Sequence, residues 1–122
     1  MIIDNNKAIY LQIADRICDD IMSGTSGAGE RLPSVREYAA LVQVNPNTVM
    51  RSYELLSQQG IIYNKRGIGY FVADNARADI YARREATFRN ETLEKMFGQL
   101  RLLGVTPEAL AADYAAWLKQ NQ

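Results

Sequence analysis

Three short stretches of the chain carry side chains fit for molecular recognition. The first is Asn45-Pro46-Asn47-Thr48, followed by Arg51. Asn45 is a favoured helix N-cap, and Pro46 suits the first helical position, where a missing N–H costs nothing. A helix therefore begins here. Residues 47 and 51 lie one turn apart on it and face away from an inner stripe of Val49, Tyr53 and Leu56. An Asn amide can pair with both edge atoms of adenine and a guanidinium with both of guanine, while Thr serves either a base edge or a phosphate. The N-terminal amides of the same helix favour phosphate oxygens. In the second stretch, Ser34-Val35-Arg36-Glu37, Ser34 and Glu37 have the spacing of a capping box, which leaves Arg36 pointing outward. The third, Lys65-Arg66-Gly67-Ile68-Gly69, places two cations at a turn whose glycines allow close backbone approach.

The elements that must position these groups follow from periodicity. Tyr10, Ile13, Ala14, Ile17 and Ile21 recur at helical spacing over residues 8 to 22, with Asp15, Arg16, Asp19 and Asp20 on the other face and Gly24 as a stop. Ser34 opens a second helix with Val35, Tyr38, Ala39 and Val42 on its apolar side, and Gln43-Val44 marks a turn. The third helix runs from Asn45 to about Gln59 and ends at Gly60. Ile61–Asn64 and Tyr70–Val72 read as two strands of a hairpin around the glycine-bearing turn. Beyond Asp74 the pattern is continuous helix, with Phe88, Leu93, Met96, Phe97, Leu100 and Leu103 on one face until Gly104. Thr106 and Pro107 then start a last helix striped by Leu110, Tyr114, Trp117 and Leu118. Helix, helix, helix, hairpin is the order of a winged helix-turn-helix. The expected fold is mainly α with a small β-hairpin wing and a two-helix C-terminal arm.

Composition narrows the function classes. The chain has 122 residues, 48% hydrophobic and 23% charged, ordinary values for a folded domain plus an appendage. There is no histidine and a single cysteine, Cys18. The commonest general base and metal ligand are thus missing, and neither a disulfide nor a cysteine metal cluster can form within the chain. No enzyme activity, metal or cofactor is expected. Fourteen basic residues balance fourteen acidic ones, so the case for a polyanionic partner rests on distribution. The acids Asp15, Asp19 and Asp20 gather early, whereas Arg36, Arg51, Lys65 and Arg66 fall in the three stretches above, and charges act over a Debye length of roughly 8–10 Å. No apolar run approaches the roughly 20 residues of a membrane span. The opening Met-Ile-Ile-Asp-Asn-Asn-Lys lacks signal-peptide architecture, which predicts a cytoplasmic protein with no membrane partner.

At this point the motifs resemble those of the GntR family of bacterial regulators and, within it, the YtrA subfamily. The resemblance rests on Ile9–Ile13, Gly29–Glu37, Val44–Tyr53 and Arg66–Val72, in that order. It implies a homodimer that binds a pseudo-palindromic operator in double-stranded DNA, usually as a repressor. Many other GntR proteins place an arginine near position 46, and with Pro46 here the base reading leans on Asn47, Thr48 and Arg51. The family's connector usually carries a bulky apolar residue and a proline where this chain has Ser26 and Ala28, which predicts a frayed or missing first strand.

The expected DNA-binding set is Ser34, Arg36, Asn45, Asn47, Thr48, Arg51, Lys65, Arg66, Gly67 and Gly69, with Asn45 mainly a cap. Tyr10, Tyr53 and Phe71 are most simply core residues, and Cys18 an inert small hydrophobe. The DNA-binding domain is drawn at residues 1–73 and the dimerisation arm at 74–122, with Phe88, Met96, Leu100, Leu103, Tyr114 and Trp117 at the dimer interface. The sequence identifies no small-molecule effector. Two other readings are a protein-docking winged helix, which the polar face at 47, 48 and 51 disfavours, and a fragment of an aminotransferase-fused relative, for which the chain is far too short.

Overall fold

The computed structural model describes residues 6–122, so the first five residues used in the signal-peptide reading lie outside it. Helix α1 spans Ile9–Ser23 and buries Ile13, Ala14, Ile17, Cys18 and Ile21, the stripe that its periodicity predicts. Gly24, at φ 86°, closes it in the left-handed conformation. Helix α2, Val35–Val42, is fixed at its start by a complete capping box. The Glu37 amide donates to Ser34 Oγ and the Ser34 amide to Glu37 Oε1, both at 3.1 Å. Gln43 then takes φ 58°, the one left-handed non-glycine residue among those described, and turns the chain into α3, Pro46–Gln58. Helices α1 and α2 both pack on α3.

Val49, Tyr53 and Leu56 of α3 meet Ile13 and Ile17 of α1, Tyr38 and Val42 of α2, and Ile61, Ile62 and Val72 of the hairpin in one core. Each fully buried aliphatic side chain there contributes about 1.5–3 kcal/mol. Tyr53 is completely enclosed, and its hydroxyl donates to the Pro33 carbonyl at 2.7 Å, which ties α3 to the entry of α2. Burial drives the Tyr53 phenol far above its ordinary pKa.

Strands β1, Ile62–Lys65, and β2, Gly69–Val72, form an antiparallel hairpin pairing Ile62 with Val72, Tyr63 with Phe71, Asn64 with Tyr70 and Lys65 with Gly69. Side chains alternate across the sheet. Ile62, Val72 and Tyr70 face the core, where Tyr70 meets Tyr53 edge-on at 4.9 Å. Tyr63 and Phe71 stack on the opposite face with centroids 5.8 Å apart. Phe71, expected in the core, is therefore half-buried on the outside of the wing. The connector reaches the sheet through three backbone bonds: the Gly29 amide to the Val72 carbonyl, the Val72 amide to that of Glu30, and the Leu32 amide to that of Tyr70. Its regular pairing is the single bridge Arg31–Phe71, a frayed strand of the kind that Ser26 and Ala28 predict.

Helix α4, Ala76–Thr87, begins inside the same core by burying Ala76 and Ile80, and the chain divides into two compact units after Arg83. The helix expected up to Gly104 runs without a break from Ala76 to Leu103 but changes pitch on the way. Phe88–Leu93 is π-helical, and α5 resumes over Glu94–Leu103. Helix α6, Pro107–Gln120, starts where Thr106 Oγ1 accepts from the Ala109 amide at 3.1 Å. No residue of the second unit is buried.

Candidate nucleic-acid interface

The expected recognition groups sit on three pieces of the first unit: the start of α2, the first turns of α3 and the wing tip. Arg36, Asn45, Asn47, Arg51, Lys65, Arg66 and Gly67 are exposed, while Ser34, Thr48 and Gly69 are half-buried. Arg36 forms no ion pair with a described residue, so its guanidinium faces solvent rather than a carboxylate.

Two polar groups of the set are committed to the fold. Ser34 Oγ is spent on the capping box. Asn45 Oδ1 accepts from the Asn47 amide at 2.8 Å, and the Asn45 carbonyl accepts from the Thr48 and Val49 amides. This corrects one expectation. Pro46 has no N–H and the next three amides of α3 are engaged, so the start of α3 offers no free amide to a phosphate. At α2 the capping box satisfies the Ser34 and Glu37 amides, which leaves those of Val35 and Arg36 at the first turn. Glu37 lies beside them, and its carboxyl is held below the usual range by the Ser34 backbone N–H and then by the Ser34 hydroxyl.

On α3, Asn47, Met50 and Arg51 stand at i, i+3 and i+4 and share one exposed face. Sequence reasoning passed over Met50, which stands 38% exposed between Asn47 and Arg51. Arg51 is not free in solvent. Its guanidinium lies 4.1 Å from the centroid of the Tyr10 ring, so Tyr10 is a half-buried platform under a cation rather than a core residue.

At the wing, Lys65 Nζ lies 4.7 Å from the Phe71 centroid and 6.0 Å from that of Tyr63, while Arg66 extends from the tip. Gly67, at φ 80°, serves the turn geometry. Gly69 has a second reason to be glycine: a Cβ there would meet Arg31 Nε at 2.9 Å. Arg31 is thus a further cation laid along the wing, missed because Gly29–Glu37 was read for its cap and for Arg36. Ile68, 57% exposed at the tip between the two glycines, was also unassigned. Among the described residues no cluster of His, Cys, Asp and Glu suits a metal, and no helix is long and apolar enough to cross a membrane.

Comparison with known proteins places this geometry. The profile of the bacterial regulatory proteins, gntR family, matches residues 9–72. The helix-turn-helix-type transcriptional repressor YtrA of Bacillus subtilis is 33% identical over 116 residues, covering 95% of this chain and 85% of the repressor. A solved structure described as a GntR-family transcriptional regulator, from Bacteroides thetaiotaomicron, is 49% identical with a TM-score of 0.85, over 94% of this chain and all of that one. The DNA-binding domain of AraR, solved in complex with an operator, is 28% identical with a TM-score of 0.51, over 52% of this chain and 77% of that one.

Proposed function

The chain belongs to the gntR family of bacterial regulatory proteins and within it to the YtrA-like regulators, and on that premise we propose that it is a cytoplasmic repressor that binds a pseudo-palindromic operator as a homodimer. The observation that carries the proposal is the outer face of α3, where Asn47, Met50 and Arg51 stand exposed on a helix held from behind by Val49, Tyr53 and Leu56. In the major groove Asn47 pairs with adenine and Arg51 with guanine, and Thr48 bonds a base edge or a phosphate. Arg36 with the α2 amides grips the phosphate backbone on one side, and Lys65, Arg66 and Arg31 grip it at the wing. These backbone contacts fix register, whereas the α3 groups supply sequence preference.

The arm supports the homodimer in this reading. Phe88, Leu103, Tyr114 and Trp117 are exposed, between 49% and 75%, and Met96 and Leu100 are half-buried. Apolar surface of that kind marks an interface. A second copy covers it and, through a two-fold axis, sets two recognition helices about 34 Å apart, one turn of DNA. Repression is carried over from the name of the YtrA relative.

The proposal is tested by a gel-shift titration against the promoter region upstream of the protein's own gene, with an unrelated duplex as competitor. A discrete complex that outlasts the competitor is expected, weakening by orders of magnitude as salt rises from about 50 to 200 mM. Arg51→Ala should lose roughly 5- to 150-fold in specific affinity, the range for one bidentate base contact, while eluting as the same dimer. An Arg51→Ala protein that binds like the wild type would instead favour a protein-docking winged helix.

A further inference from the structure

We propose that Tyr10 is a positioning residue for DNA recognition, holding the Arg51 guanidinium in a fixed plane with its hydrogen-bonding edge free. The inference rests on the reading of Arg51 as a base-contacting residue and adds to it a group from a different helix. Tyr10 is the second residue of α1 and reaches α3 by two routes. Its ring lies under the Arg51 guanidinium at 4.1 Å. Its carbonyl accepts from Ser52 Oγ at 2.7 Å, and Ser52, wholly buried, also lies 3.2 Å from the Thr48 carbonyl. The first turn of α1 is thereby pinned to the turn of α3 that carries Thr48 and Arg51.

The choice of partner has a physical consequence. A carboxylate opposite Arg51 would occupy its N–H donors and neutralise its charge, and DNA would have to displace it. No described carboxylate forms an ion pair with Arg51. An aromatic ring takes one flat face of the guanidinium and leaves the in-plane donors unspent. Those are the donors that form a fork to guanine. An exposed arginine otherwise loses much rotamer freedom on binding, and stacking removes part of that loss in advance, as preorganisation does generally. A lysine at 51 cannot use the ring in the same way, because its ammonium has no plane to stack.

The test is a double-mutant cycle read by fluorescence anisotropy on a duplex selected from a random pool by the wild-type protein, and on an unrelated duplex. Tyr10→Phe keeps the ring face and should bind as the wild type. Tyr10→Leu keeps apolar bulk without the ring and should weaken the selected duplex about two- to fivefold, the range for an exposed cation–π contact, with little change on the unrelated one. In the Arg51→Ala background Tyr10→Leu should cost nothing further. Side-chain NMR supplies a readout that does not need DNA: the Arg51 Hε resonance should be ring-shifted in the wild type and Tyr10→Phe, and unshifted in Tyr10→Leu. Equal losses from Tyr10→Leu with and without Arg51, or a loss of the same size on both duplexes, would make Tyr10 a merely structural residue and overturn the inference. So would an unaffected Tyr10→Leu beside a damaged Arg51→Ala. An Arg51→Ala protein with full affinity would sink the underlying reading of Arg51 itself, an outcome separable from the other three. Tyr10→Met replaces Tyr10→Leu if the latter does not melt as a folded protein.

Discussion

Arg36 and Arg51 show how two similar side chains come to differ. Arg36 points into solvent beside the amides of a helix start, whereas Arg51 lies on an aromatic ring. The caps at Ser34 and Asn45 were legible because each is a contact between neighbours in the chain, at i to i+3 and i to i+2. Tyr10 and Arg51 are brought together only by the crossing of α1 over α3, so neither periodicity nor motif could pair them. Tyr38 raises a related point. Its ring packs edge-on against Tyr53 at 6.2 Å, but its hydroxyl is inaccessible and has no hydrogen-bond partner among the described residues, and burial pushes its pKa up. An orphaned buried hydroxyl costs about 1–3 kcal/mol. Tyr38→Phe removes the orphan while keeping the ring, so it should be at least as stable as the wild type and melt up to several degrees higher. A clear drop in melting temperature would mean that the hydroxyl is satisfied by an ordered water.

At the scale of elements, the sequence placed α1, α2 and α3 and the start of α6 to within one or two residues, because each has an apolar stripe and side-chain or glycine signals at those ends. The hairpin strands differ by one residue from their expected limits. The faces of the wing were less legible: alternation over four residues did not reveal that Tyr63 and Phe71 point outward as a stacked pair while Tyr70 points in. The π-helical turn at Phe88–Leu93 was invisible, since apolar spacing at i+3 and i+4 looks the same on either side of one wider turn. The capping box of α2 gives a testable dependence on pH. Glu37 has its pKa lowered by the Ser34 bonds, so the fold favours its ionised form. That contribution is fully present above the unfolded carboxylate value of about 4.3 and is lost as pH falls through the lower folded value. Glu37→Gln can still accept from the Ser34 amide but does not titrate. Urea midpoints measured from neutral pH down to pH 3 (about one unit below the unfolded value) should therefore fall further in the wild type than in the variant. Parallel curves would show that the box contributes no pH dependence.

The whole molecule folds as two compact units. The first carries a shared core and every group proposed to meet DNA, on a chain whose net charge is zero, so the proposed binding rests on where Arg31, Arg36, Arg51, Lys65 and Arg66 stand rather than on bulk charge. The second, from Arg84 onward, has apolar side chains and no buried residue, which is intelligible if a second copy completes it. Both statements converge on one measurement: selection of bound duplexes from a random pool by the purified protein, followed by sequencing. The account predicts enrichment of an inverted repeat whose half-site centres lie about 10 base pairs apart, with guanine and adenine positions that lose their preference in Arg51→Ala and Asn47→Ala respectively. Enrichment of nothing, or of a single half-site without its inverted partner, would contradict the account of a two-fold operator reader.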